Sequence, residues 1–492
     1  MASKKGPPPV VYVVAIIILG FLGYRGFTAF NNSSDTTSVT SDSGSEQDSR
    51  QTTTTENGNE TNISGSSQLS NRFSSGEEIL VNVSSENQTF SQRKRQGTQA
   101  MAAGNYSEAV RHFEAALEAK QNSPETLIYL NNARIAQEKA FTVAVTVPLA
   151  SDTVFFALEM LRGYAQAQNE INQNGGINGT PLKLVIANDG DNPRVATQVA
   201  EELGNRKDVL AVSGHWSSSI TLAVAPIYDD HELVLVNPVS TSTQVSGASD
   251  YVFRTIPSNF VVGATMADYA LNQLQAQQVA VFYDSNSGYS MSLRRELKTS
   301  LSTRGGSVVA EFDLSEGGFL AQQRLQNAKE RGAEAIVLIP STESIDRALQ
   351  VVNVNNRELP LIGDIGNLYG VKTLQVGGED AVGMAIPIPW HIQKPGSEQF
   401  VRRSRQLWGG DVNWATVMAY DAMNAIIAAL QQTPTRGGIQ NTLASNGFST
   451  PGVIESVKFL PSGDRNGDLM MVEVQPANPS RSGTGYDFVP VN

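Results

Sequence analysis

From Phe141 to Asn492 the sequence alternates short apolar runs with longer amphipathic segments. The apolar runs, such as Leu182–Asn188 and Ala335–Ile339, are rich in Val, Ile and Leu, and segments such as Phe155–Gln173 have the 3.6-residue period of a helix. Strands that alternate with helices form parallel sheets covered by helices. Roughly 350 residues are too many for one such sheet. We therefore expect an α/β domain with two lobes.

Two neighbouring strands are predicted to end in loops that are rich in hydroxyl groups. Val209–Ser213 is followed by GHWSSS, and Leu233–Asn237 is followed by PVSTST. Ligands of open parallel sheets bind beyond the carboxyl ends of the strands. Hydroxyls and the free N–H groups of a helix start suit a carboxylate. The loops therefore predict a site for a small molecule with a negative group, and no activating base of the nucleophile–His–acid kind is apparent beside them.

Composition excludes several classes of function. The chain has 492 residues, a net charge of −12, no Cys and four His. An acidic chain without a basic stripe is unsuited to nucleic acid. The absence of Cys removes disulfides, thiol nucleophiles and Cys-based zinc sites, and the His residues lack metal-ligand spacing. We expect no enzyme activity, no metal and no cofactor.

Residues 1–30 have the pattern of a membrane-targeting segment. Lys4 and Lys5 precede the apolar run Val10–Gly23, and this order keeps the N-terminus in the cytoplasm while the rest of the chain is exported. With Tyr24–Phe30 the run reaches roughly 20 residues, the length of a membrane span. We favour an uncleaved signal anchor, which makes the protein single-pass and extracytoplasmic. A signal peptide cleaved near Thr28–Phe30 is the alternative.

Two further segments precede the α/β domain. Residues 31–90 are rich in Ser, Thr, Asn and Gly and are predicted to form a disordered linker, because they bury too little apolar surface. Residues 91–139 are predicted to be helical and to resemble one tetratricopeptide repeat, with Gly97, Tyr106 and Phe113 at its small and aromatic positions. One repeat buries its faces poorly. A helical spacer and a module for peptide binding or self-association are both open.

Residues 141–474 contain several specific motifs, which are VAVTVPLASD, INQNGGINGTPLKLV, GHWSSS, NPVSTST, AYDAM and VKFLPSGDRNGD. Together they resemble type I periplasmic solute-binding proteins of the branched-chain amino acid (Leu/Ile/Val-binding) family, which serve ABC transporters. The resemblance implies two Rossmann-like lobes with a ligand in the cleft between them. It also implies three crossovers, near Arg254–Ser258, Ile386–Pro389 and Phe448–Gly452. Lobe 1 then comprises about 140–255 and 389–448, and lobe 2 about 258–386 and 452–492.

The resemblance implies that lobe 1 holds a ligand carboxylate through loop hydroxyls and amides, which are suitable donors. Phe156 matches the family's aromatic lid. Helix capping by the Ser run and core packing by Phe156 are the structural alternatives. The residues matched to the carboxylate site are Ser217, Ser218, Ser219, Val239, Ser240 and Thr241.

In lobe 2 the resemblance implies three further ligand-binding residues. Tyr289 matches a cleft tyrosine, and Asp364 matches the acidic residue that binds the ligand ammonium, for which a turn-forming Asp is the alternative. Trp414 or its neighbour Ala415 lies near the remaining cleft position. The family often has an aromatic residue after the strand Ala335–Ile339, where this chain has PSTES. A ligand smaller or more polar than leucine is therefore open.

We predict a membrane-tethered, extracytoplasmic protein that captures an amino acid or a similar small polar ligand for an ABC permease. The alternative is a sensor that passes its binding status to a membrane or signalling partner through the helical repeat.

Overall fold

The structure is a computed structural model that describes residues 69–81, 87–149 and 153–491. Most of its strands coincide with the apolar, β-branched runs, which fit a buried pleated surface. In chain order they are β1 (Phe73–Ser74), β2 (Phe141–Val147), β3 (Leu182–Asn188), β4 (Val209–Gly214), β5 (Val234–Asn237), β6 (Val252–Arg254), β7 (Gln278–Tyr283), β8 (Ser307–Asp313), β9 (Ala335–Ile339), β10 (Leu361–Gly363), β11 (Ala385–Ile388), β12 (Met470–Pro476) and β13 (Tyr486–Pro490).

The strands form two open sheets, one in each lobe. The order is β1-β3-β2-β4-β5-β6 in lobe 1 and β13-β12-β11-β10-β9-β7-β8 in lobe 2. In lobe 1 only β1 is antiparallel to its neighbour. In lobe 2 the pairs of β11 with β12 and of β12 with β13 are antiparallel, and the others are parallel. The predicted two-lobed α/β fold class is confirmed.

Helices connect the strands and cover both sheets. Several begin at a polar residue whose side chain accepts a hydrogen bond from the first turn, as Asn192, Ser217, Ser287 and Asn413 do. The helices are α1 (Gln88–Ala102), α2 (Tyr106–Ala119), α3 (Pro124–Arg134), α4 (Val154–Gln173), α5 (Pro193–Asn205), α6 (Ser218–Asp230), α7 (Asn259–Asp268), α8 (Gly288–Thr303), α9 (Ala321–Glu330), α10 (Ile345–Asn355), α11 (Val371–Gly377), α12 (Glu398–Trp408), α13 (Trp414–Gln432) and α14 (Arg436–Leu443).

Gly163 allows α4 and α13 to pack closely against each other in lobe 1. A Cβ atom at this position would lie 2.2 Å from the carbonyl oxygen of Thr416 and 2.7 Å from the backbone nitrogen of Tyr420. The hydroxyl of Thr416 also donates to the carbonyl oxygen of Glu159 at 2.9 Å. This contact fixes the start of α13, which faces the cleft, against the first helix of the α/β domain.

Three connections join the lobes. Residues 255–258 connect β6 to α7, residues 389–397 connect β11 to α12, and residues 444–469 connect α14 to β12. The first lies where the resemblance places it, the second begins at Pro389, the last residue of the expected range, and the third extends beyond Gly452. Two ion pairs with buried arginines stabilise this hinge: Arg254 contacts Asp464 at 2.6 Å, and Arg465 contacts Asp421 at 2.7 Å.

The segment before the α/β domain packs on lobe 1. Ten of the eleven residues of α3 are buried, and Asn132 of this helix donates to the carbonyl oxygens of Ser75 and Leu184 at 2.8 and 2.7 Å. Strand β1 extends the sheet by pairing with β3. The predicted disordered linker ended at Phe90, and that boundary is corrected, because residues 69–81 and 87–90 belong to the folded structure.

A buried ion pair connects α1 to α3 within the segment that precedes the α/β domain. Lys94 and Glu125 lie 2.6 Å apart, and their side chains are 2% and 1% exposed. Glu125 also accepts hydrogen bonds from the backbone nitrogens of Leu80 and Val81 and from the hydroxyl of Tyr129. A chain that was unfolded before Phe90 could not make these contacts.

The predicted signal anchor lies outside the described residues. Among residues 69–81, 87–149 and 153–491, no helix is both long and apolar enough to cross a membrane.

Candidate ligand-binding site

A cavity of about 190 Å³ lies in the cleft, where loops from the carboxyl ends of strands in both lobes face each other. The predicted position of a ligand site at this edge agrees with the cavity. On the scale of one water per 10–15 Å³, the volume holds on the order of ten non-hydrogen atoms. Seven of the ten candidate residues line it: Ser217, Ser218, Ser219, Val239, Thr241, Tyr289 and Trp414.

Buried polar contacts behind the cavity hold the loop between β4 and α6. His215 Nδ1 lies 2.6 Å from Asp189 Oδ2, and His215 Nε2 lies 3.0 Å from the hydroxyl of Tyr228. All three side chains are buried. Both imidazole nitrogens are occupied, so His215 is not free to activate a nucleophile. The contacts instead fix the direction in which Ser217 and Ser218 project from the loop.

The hydroxyls of Ser218 and Thr241 are arranged to donate into the cavity. Ser218 Oγ accepts a hydrogen bond from the backbone nitrogen of Ser242 at 3.3 Å, which leaves its proton available. Thr241 Oγ1 is buried and has no hydrogen-bond partner in the structure. Buried polar atoms are rarely left unpaired. An acceptor on a ligand would satisfy both hydroxyls.

Ser240 supports the site from behind and is absent from the cavity wall. Its hydroxyl lies 2.7 Å from that of Thr221, and its backbone nitrogen donates to Asn237 Oδ1 at 2.7 Å. Arg254 donates to the carbonyl oxygens of Ser240 and Ser242. The loop that carries Thr241 is therefore fastened to the hinge.

Phe156 lies one layer outside the cavity. Its ring stacks on Trp216 with a centroid distance of 4.2 Å and an interplanar angle of 21°. Trp216 lines the cavity, whereas Phe156 lines an adjoining hollow at the mouth of the cleft. The two rings form an aromatic wall, in which the residue nearest to a ligand is Trp216.

Asp364 lies beneath the wall of lobe 2 and does not line the cavity. Its carboxylate is fully buried and accepts five hydrogen bonds: from the hydroxyl of Tyr289 at 2.7 Å, from the backbone nitrogens of Gly366, Asn367 and Leu368, and from the side chain of Asn367. Burial raises the pKa of Asp364 to about 6, against the lowering effect of these donors. The carboxylate positions Tyr289 and the loop, and Ile365 takes the place on the wall.

Sequence reasoning missed several residues that line the cavity. Asp191 lies in the loop after β3, and Trp216 stands inside the GHWSSS motif, which was already recognised. In lobe 2, loops after three different strands supply the wall, and one of them, PSTES after Ala335–Ile339, was singled out in the sequence. Those additional lobe 2 residues are Asn286, Ser287, Ser341, Thr342, Glu343, Ile365, Gly366 and Asn367.

The wall thus combines hydroxyl donors, aromatic surface and two carboxylates, Asp191 and Glu343. Within the described residues, no three His, Asp or Glu side chains are placed to hold a metal ion. Groups of this kind can bind and orient a small polar molecule.

Comparisons with known proteins agree with this geometry. The family model described as "Periplasmic binding protein" matches residues 140–480, which is more than half of the chain. An "Amino acid binding protein" of Pseudomonas aeruginosa is 32% identical over 196 residues, which are 39% of this chain and 52% of that protein. A "Leu/Ile/Val-binding protein" of Citrobacter freundii is 24% identical over 365 residues, or 73% of this chain and 96% of the relative.

Solved structures share the fold at low sequence identity. An ABC transporter substrate-binding protein of Desulfitobacterium hafniense in complex with Leu has a TM-score of 0.61 and 23% identity, and the match covers 72% of this chain and 100% of that one. A solute binding protein of Rhodopseudomonas palustris BisB5 in complex with 3,4-dihydroxy benzoic acid has a TM-score of 0.62 and 16% identity, over 72% and 97%. With the family match over residues 140–480, these findings place the chain in the periplasmic binding protein family.

Proposed function

We propose that the protein captures an amino acid, or a similar small solute with a carboxylate, for uptake by an ABC transporter. The observation that carries this proposal is the buried hydroxyl of Thr241, which lacks a partner and lines the same cavity as the hydroxyl of Ser218. Both hydroxyls lie beside the N-terminus of α6, where backbone N–H groups favour an anion. The names of the relatives, amino acid binding and Leu/Ile/Val-binding, support the same ligand class.

In the proposed cycle, the ligand carboxylate first binds the hydroxyls of lobe 1. The wall of lobe 2, which includes Tyr289, then closes over it by rotation about the three connections. Hinge closure around a ligand is a common response of two-lobed binding proteins. The closed form is what a membrane permease would recognise.

Binding measurements on Ser218→Ala and Thr241→Ala test the proposal. Each variant removes a donor to a charged ligand group, so we expect the binding free energy for the preferred amino acid to weaken by about 1–3 kcal/mol. Thr197→Ala is the matched control, because its hydroxyl donates to the carbonyl oxygen of Arg194 within α5. Calorimetry in which both cavity variants bind like the control would place the carboxylate site elsewhere.

We also propose that residues 1–30 anchor the protein, with the bulk of the chain outside the cytoplasm. The support is the order of Lys4, Lys5 and the apolar run, together with a family whose members act outside the cytoplasm. N-terminal sequencing of the mature protein decides between an anchor and a cleaved peptide. A sequence that begins near Phe30 would exclude the anchor.

A sensor is the second candidate, and one observation favours it. The helices α1 to α3, in which we propose a tetratricopeptide-like surface, are fixed to lobe 1 through Asn132. A partner that docked on them would therefore follow the movement of lobe 1. If the protein is a sensor, substitutions on the exposed face of α2, such as Arg111→Ala, should abolish signalling and leave ligand affinity unchanged. If it is an uptake protein, the same substitutions should change neither uptake nor ligand affinity.

A further inference from the structure

Asp191 is a carboxylate on the cavity wall with one oxygen that no contact in the structure satisfies. It lies in the loop after β3, with a backbone φ of +52°, which Asp tolerates better than most residues. Its Oδ1 atom is buried and has no hydrogen-bond partner in the structure. Burial, reinforced by the negative charges of Asp189 and Glu343, raises its pKa, while Ser217 and His215 act in the opposite direction.

Asp189, the neighbouring acidic residue, has a different structural role. Asp189 contacts His215 with one oxygen at 2.6 Å and accepts the backbone nitrogen of Asp191 with the other at 3.0 Å. Asp189 is thus used by the loop itself and does not line the cavity. The side chain of Asp191 takes no part in that contact, and its unpaired oxygen belongs to a residue of the cavity wall.

An unpaired buried carboxylate oxygen is costly, and folded proteins rarely keep one without use. In the same cavity, Thr241 Oγ1 is a buried hydroxyl that also lacks a partner. One of these atoms only accepts hydrogen bonds, and the other can donate. A ligand that carries both a donor and an acceptor can satisfy the two atoms together.

We propose that Asp191 binds the ammonium group of an amino acid ligand. This inference rests on the proposed function, since it assigns the second polar group of the same ligand. The ammonium and carboxylate of an α-amino acid share one carbon, so partners for both can come from neighbouring loops. Asp191, Ser218 and Thr241 all belong to lobe 1. Lobe 1 alone therefore holds both charged groups, and the open protein binds the ligand before the cleft closes.

Two other carboxylates compete for this role, and the geometry favours neither. Asp364 already accepts five hydrogen bonds and is separated from the cavity by Tyr289 and Gly366. Glu343 lines the cavity from lobe 2, but this residue is exposed, so solvent screens its charge. Asp191 differs from both, because one of its carboxylate oxygens is buried and accepts no hydrogen bond in the structure.

Calorimetry on the full chain tests the assignment. Wild type is titrated with each standard amino acid, and the tightest one is then compared with its analogue that lacks the amino group. We expect Asp191→Asn to weaken the amino acid by tenfold or more and to leave the des-amino acid unchanged or bound more tightly. Asp208→Asn is the control, because this exposed lobe 1 carboxylate pairs with Arg206 away from the cavity.

The outcomes separate the two proposals. If wild type binds no amino acid, this inference fails, while the proposed capture of a small carboxylate solute is still tested by the Ser218→Ala and Thr241→Ala variants. If wild type binds one and Asp191→Asn binds it equally well, only this inference is overturned, and a tenfold loss in Glu343→Gln instead names the partner of the ammonium. Thermal melting with and without ligand excludes misfolding, and Asp191→Ser, which also removes the charge, must reproduce the tenfold loss.

Discussion

Replacement of Glu125 by Gln tests whether Leu80, Val81 and Lys94 are folded against α3. Gln keeps the acceptor that serves the backbone nitrogens of Leu80 and Val81 and the hydroxyl of Tyr129, at 2.7, 2.9 and 2.9 Å. It replaces Oε2, which pairs with Lys94 at 2.6 Å, by an amide nitrogen that carries no negative charge and cannot accept a hydrogen bond. The perturbation is therefore confined to the contact with Lys94.

The expected magnitude follows from burial. The side chains of Lys94 and Glu125 are 2% and 1% exposed, so the substitution leaves the ammonium of Lys94 buried with one neutral acceptor, the carbonyl oxygen of Val81 at 3.1 Å. Removal of one partner of a buried pair costs about 3–5 kcal/mol. The double variant Lys94→Met/Glu125→Gln removes both charges and should regain at least about 2 kcal/mol of that loss.

Urea denaturation followed by circular dichroism measures the effect. Glu114→Gln is the control, because Glu114 pairs with Arg134 in the same segment at 2.8 Å while both side chains are more than 40% exposed. An exposed pair contributes at most about 1 kcal/mol. If Glu125→Gln costs no more than this control, the buried ion pair is not formed and residues 80–81 and 94 are not folded against α3.

Two further predictions concern residues inside the lobes. Asp364 has a pKa of about 6 in the folded chain against an ordinary value near 3.8, so its contribution to stability is full below the ordinary pKa and is lost as the pH rises through 6. In denaturation at pH 4 and pH 7, the free energy of unfolding of wild type should fall by about 2 kcal/mol more than that of Asp364→Asn, and equal decreases would contradict the buried carboxyl. Gly163→Ala places a Cβ atom 2.2 Å from the carbonyl oxygen of Thr416 and should lower the free energy of unfolding by about 1–3 kcal/mol. Gly410→Ala is the control and should not lower it, because a Cβ atom there meets nothing within 4 Å. A similar effect of both substitutions would refute close packing of α4 and α13.

The strands that sequence reasoning found are those with a strong local signal. Leu182–Asn188 and Ala335–Ile339 have the predicted bounds, since buried parallel strands are continuous apolar runs. The strands β1, β6, β12 and β13 were not predicted. The first two have two and three residues, and β12 and β13 are only partly buried. Their pairing partners, which lie far away in the chain, define them.

Composition misjudged residues 69–81 and 87–90 for a related reason. These residues are mostly polar, so an estimate of their own apolar content predicts disorder. Contacts with distant parts of the chain order residues 69–81, such as Arg72 with the carbonyl oxygen of Asn188 and the backbone nitrogens of Leu80 and Val81 with Glu125. A polar segment can be folded when a neighbouring domain supplies the partners for its hydrogen bonds, and such partners are invisible in a local window.

At the candidate site, too, the direction of a single side chain depends on contacts that a local stretch of sequence does not reveal. Hydroxyl-rich strand ends correctly predicted that Ser218 and Thr241 line the cleft, because the carboxyl ends of parallel strands share one edge. The side that a turn residue faces depends on the loop's hydrogen bonds, and these turn Asp364 inward and bring Ile365 to the wall. Because Asp364 satisfies the loop of lobe 2, the acidic role in ligand binding passes, in our proposal, to Asp191 in lobe 1. Ligand charge recognition would then be complete before closure, and closure would add mainly the contacts of Tyr289 and the apolar side chain of Ile365.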